Sequence, residues 1–163
     1  MRTVEQRLPS LRHQIRKEAC WAVSNISAGS ATQIQTLIDA NLFPVIIERL
    51  STGDFDVRKE ALWALSNATE GGTQDQVAYL VESGAIPGLC SMLDCPDSRL
   101  TIVALDGLNN VLRHGARIAD GTGASPWVNL VEECGGLDKL EAAQSHEDHA
   151  VYERAVRVGC WLV

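Results

Sequence analysis

Glu60, Trp63 and Asn67 are separated by three and then four residues, a spacing that lines up a carboxylate, an indole and a carboxamide along one stripe of a helix. Glu18, Trp21 and Asn25 repeat the same three types in the same register. An asparagine side chain offers a donor and an acceptor, so it can hold the N–H and C=O of another peptide in trans. An indole face accepts the aliphatic stem of lysine or arginine with the cation over its π-system, worth on the order of 0.5–2 kcal/mol. Glu18 and Glu60 would then take the charged head. Two such stripes side by side fit an extended basic peptide. A lone tryptophan on a helix is usually core or interface filler; recurrence in one register is what distinguishes these six residues.

Other chemistry finds less support. His146, Glu147, Asp148 and His149 form the densest set of metal-type ligands, but HEDH lacks the i,i+4 histidines of a zinc-binding HExxH helix. No metal site or cofactor is expected. Neither GxxxxGK[ST], GxGxxG nor GxSxG occurs, and Cys20 and Cys160 have no histidine beside them in sequence to activate a thiol. Nothing recommends an enzyme, and a metal hydrolase built on HEDH is the weakest reading.

The elements that must position the stripes follow from an internal repeat. KEACWAVSNISAG at 17–29 returns as KEALWALSNATEG at 59–71, an offset of 42 residues, while Pro44 in LIDANLFPVIIERL and Pro87 in LVESGAIPGLCSML lie 43 apart. TIVALDGLNNVLRHG at 101–115 and NLVEECGGLDKLEAA at 129–143 are degraded third copies of the two landmarks. Within a unit the pattern is helical throughout. Residues 32–40 predict a short first helix, and Pro44 fits the first turn of a second. Asp54 or Asp56 can cap a third, which is expected to run to about Thr69 and to end through left-handed backbone at Gly71-Gly72. On that third helix Ala61, Leu62, Leu65 and Ala68 share the arc expected to face the core.

A period of roughly 40–47 residues with three helices per unit is the signature of HEAT or armadillo arrays. The expected fold is all-α: a right-handed superhelical solenoid of about four armadillo repeats, in one domain over 1–163, with units near 1–29, 30–72, 73–120 and 121–163. The first is incomplete, since only VEQRLPSL precedes its third helix, so the chain reads as starting mid-repeat. Gly115, Gly121, Gly123 and Pro126 predict a mobile loop over 114–126. In such a stack every third helix occupies an equivalent place, which brings the two stripes together as a ladder on the concave wall.

The 163 residues carry 14 basic and 21 acidic side chains, a net charge of −7. This opposes nucleic-acid binding and favours a cationic partner. Five cysteines, odd in number and without a CxxC pair, read as reduced thiols of an intracellular protein. No apolar run is long enough to span a membrane.

KEACWAVSN, KEALWALSN and VEECGGLDKLEAAQSHED resemble the closing repeats of importin-α, the armadillo adaptor that carries nuclear localisation signals, and the likeness covers nearly the whole chain. The resemblance implies that Trp21, Asn25, Trp63 and Asn67 belong to the minor signal-binding site, with Glu18 and Glu60 as its acidic partners and Asn110 retained in the next repeat, where Asp106 replaces the tryptophan. It implies lysine- and arginine-rich cargo signals as ligands and residence in both cytoplasm and nucleus. It also implies that the last repeats, with Glu132-Glu133 and Glu147-Asp148, contact the export receptor. The family's basic segment for importin-β, its principal signal site and the repeat before Trp21 are missing from this sequence, so half a groove and no importin-β binding are expected. The alternative is a generic armadillo scaffold with no preference for basic peptides.

Overall fold

The computed structural model describes residues 4–119 and 125–162, with side chains from residue 10 onward. Among the described residues ten helices follow one another: α1 (Val4–Ser27), α2 (Ala31–Asp39), α3 (Phe43–Thr52), α4 (Phe55–Gly71), α5 (Gln74–Glu82), α6 (Ala85–Cys90), α7 (Ser98–Ile118), α8 (Pro126–Glu133), α9 (Gly136–Ala143) and α10 (His149–Gly159). No strand occurs among the described residues.

The repeat is written into the turns. Ser30 and Thr73 open α2 and α5 with the same capping box, each hydroxyl accepting from the backbone N–H of a glutamine three residues on, whose side chain returns to the cap N–H. Between the first and second helices of a unit, Asn41, Gly84 and Gly135 adopt φ of 54°, 97° and 72°. These are equivalent places in the three copies of the second landmark, and glycine and asparagine are the residues that enter the left-handed region at least cost. The reversal they make sets each second helix against the next unit: α3 packs on α6, and α6 on α9. The third helices stack in order, α1 on α4, α4 on α7 and α7 on α10. Ala61, Leu62, Leu65 and Ala68 are fully buried, and together with Ile86, Leu89, Leu105 and Leu108 they belong to one continuous core.

Three expectations are corrected. The end of α4 is not left-handed: Gly72 has φ −76°. Glycine is required there for space instead, since a Cβ would lie 2.6 Å from the Ala68 carbonyl oxygen that accepts the Gly72 N–H. The predicted loop at 114–126 is helical over its first residues, because α7 runs to Ile118; Gly115 is a packing glycine whose Cβ would collide with Ser125 Oγ and stand 2.8 Å from the Trp127 ring. Gly121 and Gly123 lie outside the described residues. Finally, VEQRLPSL does not precede the first third helix but belongs to it, for the backbone from Val4 continues unbroken as α1. Its buried side, with Cys20 and Val23, packs on α4, while Leu11, Ile15, Ala19, Ala22 and Ile26 form an exposed apolar stripe on the side where a further repeat would pack.

Candidate peptide-binding face

α1 and α4 carry the six ladder residues, and the burial of the opposite face of α4 turns them outward. Trp21 is 53% exposed and Trp63 42%, large fractions for indoles, and neither indole N–H has a partner among the described residues. Asn25 is exposed, and its amide has no partner among the described residues. Asn67 is half-buried, its Nδ2 donating to the Ser24 carbonyl oxygen at 3.1 Å. That bond ties α4 to α1 and orients the amide, leaving its Oδ1 and second N–H to bond another chain. Glu18 is exposed and accepts from Gln14 Nε2 at 2.7 Å. The Glu60 side chain is only 12% exposed and lies 3.8 Å from Lys59 Nζ, so it is less open to a ligand than Glu18.

Asn110 stands apart. It is buried in the α4–α7 contact, where Nδ2 donates to Thr69 Oγ1 at 3.4 Å and Oδ1 accepts from Arg113 Nη2 at 3.4 Å. At the tryptophan's place in this repeat, Asp106 receives Arg154 Nε at 3.0 and 3.2 Å on its two oxygens, and the neighbouring Asn109 Oδ1 accepts the Trp161 indole N–H at 2.9 Å. The C-terminal unit thus engages the third repeat's stripe at Asp106, through Arg154 of α10, and beside it at Asn109, through Trp161. Sequence reading missed Ser24 and Arg154; partners 43 and 48 residues away leave no signal in local spacing.

HEDH caps a helix. Asp148 accepts the Ala150 N–H at the start of α10, His146 Nδ1 accepts the Asp148 N–H, and His149 pairs with Glu153. Among the described residues no group of three or more such side chains could hold a metal ion, and no helix is long and apolar enough to cross a membrane. The cysteines are free; burial raises the Cys20 thiol pKa, and burial with the adjacent Cys134 raises that of Cys90. A recess of about 590 Å³ between α2 and α5, lined by Thr32, Gln35, Gln76 and Tyr79 among others, includes none of the ladder residues.

Beside the stripe, His114 is buried, with Nδ1 2.8 Å from Gln74 Oε1. Burial, then the charges of Arg117 and Arg113, lower its pKa below the ordinary 6.5. The unfolded chain therefore takes up a proton near pH 6.5 that the folded chain refuses, so this contribution to stability is full above that pH and falls away below it. Thermal unfolding from about pH 7.5 to about pH 5.5 should show a declining midpoint, with a shallower decline in His114→Gln; parallel slopes would contradict the assignment.

The helices stacked three to a unit, with their exposed third-helix stripe, define a repeat solenoid, and the chain belongs to the armadillo-repeat family: the armadillo/β-catenin-like repeat model matches residues 30–70 and 73–113, and an atypical armadillo repeat model matches 125–158. Importin α subunits are among its curated relatives. Importin subunit alpha-4 of Arabidopsis thaliana is 43% identical over 90% of this chain and 28% of its own length, and importin subunit alpha-1a of Oryza sativa subsp. japonica is 46% identical over 91% of this chain and 29% of its own. The chain thus spans less than a third of the relatives it matches. Among solved structures, a designed armadillo repeat protein in complex with a (KR)4 peptide superposes with a TM-score of 0.75 at 31% identity, covering 90% of this chain and 57% of that one. A computationally designed armadillo protein for modular peptide recognition reaches 0.79 at 28% identity, covering 91% and 58%.

Proposed function

We propose that this chain is part of a nuclear import adaptor and binds lysine- and arginine-rich localisation signals along α1 and α4, in the manner of the minor-site half of an importin-α groove. The observation that carries the reading is the pair of outward-turned indoles, Trp21 and Trp63, each followed four residues later by an asparagine, on helices packed against one another. The asparagines hold the extended backbone, and lysine stems lie against the rings with their charge toward Glu18 and Glu60. The importin α relatives and the likeness to an armadillo protein solved with (KR)4 support this reading. Asn110 acts through the α4–α7 contact rather than on the ligand. Passage between cytoplasm and nucleus, and an export-receptor contact through Glu132-Glu133 and Glu147-Asp148, rest on the family alone.

Titration of the chain with a lysine-rich peptide and with a copy whose lysines are replaced by glutamine tests the proposal. The basic peptide should bind and the neutral copy should not, with affinity falling several-fold as ionic strength rises from about 0.05 to about 0.5 M. Equal affinity for both peptides would reject it in favour of a scaffold without charge preference.

A further inference from the structure

The stripe that carries Glu60, Trp63, Asn67 and Glu70 on α4 continues on α7 as Val103, Asp106, Asn110 and Arg113. The residues at the equivalent of Trp63 and at the two positions flanking the Trp/Asn pair therefore change character between one repeat and the next. An acid becomes a valine at the first place, and Glu70 gives way to Arg113 at the last. Asp106, the remaining carboxylate, is neutralised by Arg154. Arg113 has no carboxylate within 4 Å among the described residues; its Nη2 makes the single long bond to Asn110, and its Nε is buried without a partner. The Nε is sealed from solvent, so the two Nη groups, with only the one long bond between them, are what remains to donate to a carboxylate from outside. Arg117 follows one turn later on the same side, exposed and with no acidic partner among the described residues.

Resting on the peptide-binding reading above, we infer that the face is bipolar: the Trp21–Trp63 half takes the basic residues of a ligand, and Arg113 takes an aspartate or glutamate carried on the same extended peptide. Neighbouring helices lie about 8–10 Å apart and two extended residues span about 7 Å. The acidic residue accordingly stands roughly two to five positions beyond the lysine seated at Trp63. The ligand class is a basic run with an acidic flank on one side.

The protein's net charge of −7 supplies the discriminating sign. Carboxylates added to a peptide should weaken its attraction to this chain everywhere except at an unpaired cation, so tighter binding cannot come from the general field. The experiment compares five peptides against the full chain: a lysine-only peptide, and versions with Asp-Asp or Asn-Asn three residues before or after the lysines. One of the two aspartate peptides should bind about three- to tenfold tighter than its asparagine isostere. That gain should vanish in Arg113→Gln, which keeps a donor for Asn110, and persist in part in Arg113→Lys, while the lysine-only affinity stays the same in both. Aspartate peptides no tighter than their isosteres, or a gain that survives Arg113→Gln, would overturn the inference while leaving the ladder standing. Lysine-only binding that is absent, or indifferent to Trp63→Ala, would instead overturn the ladder and this inference with it.

Discussion

Truncating Leu65 to alanine will lower the unfolding free energy by about 2–5 kcal/mol, whereas Trp63→Ala, two residues away, will cost much less. Leu65 is wholly excluded from solvent, and its Cδ2 lies near the backbone of Gly88 in the following unit. The truncation therefore removes both burial and a contact between repeats, at a place where close helix packing hinders collapse of the cavity. Against a marginal total stability, commonly about 5–15 kcal/mol, that is a large share. Trp63 is the larger side chain, yet it is 42% exposed, so much of its ring already faces water in the folded state. Denaturant unfolding of the two variants measures the contrast, and equal losses would mean that the buried and open faces of α4 are assigned the wrong way round.

Trp63→Ala and Asn67→Ala should each weaken a lysine-rich peptide by about tenfold or more. In the proposed binding mode, the loss for Trp63 is the ring face that would cover a lysine stem, and for Asn67 the amide that would hold the ligand backbone. Asn67→Ala has a second consequence, because it also leaves the Ser24 carbonyl without the α4 amide, which should cost about 0.5–1.5 kcal/mol of stability. Titration well below the unfolding transition separates the two effects. Parental affinity in both variants would remove α4 from the ligand's path.

The period of the fold is legible in the sequence because each unit reuses the same local devices. Ser30 and Thr73 cap, Pro44 enters its helix in the first turn, and Ala61, Leu62, Leu65 and Ala68 keep one apolar arc. Errors arise where a glycine's reason is tertiary. Gly72 and Gly115 read as backbone punctuation, but one is set by the Ala68 carbonyl and the other by Ser125 and Trp127, contacts that no local pattern encodes. The ladder residues of α1 and α4 are legible for the same cause as the repeat, as identical types in identical register. The third repeat is harder to read. Asn110 keeps the register but is taken into the α4–α7 contact, and the Asp106–Arg154 pair joins residues 48 apart, so similarity of sequence there conceals a change of role.

Nitrogen-15 spectra of the four indole N–H groups, recorded as a lysine-rich peptide is added, test the central claim most directly. Trp21 and Trp63 are open and without a partner among the described residues, Trp127 is buried, and Trp161 is held by Asn109. The Trp21 and Trp63 resonances should shift together and saturate with the peptide while those of Trp127 and Trp161 stay in place. Saturating binding that leaves Trp21 and Trp63 unmoved, or that moves Trp127 and Trp161 instead, would contradict a ligand path along α1 and α4.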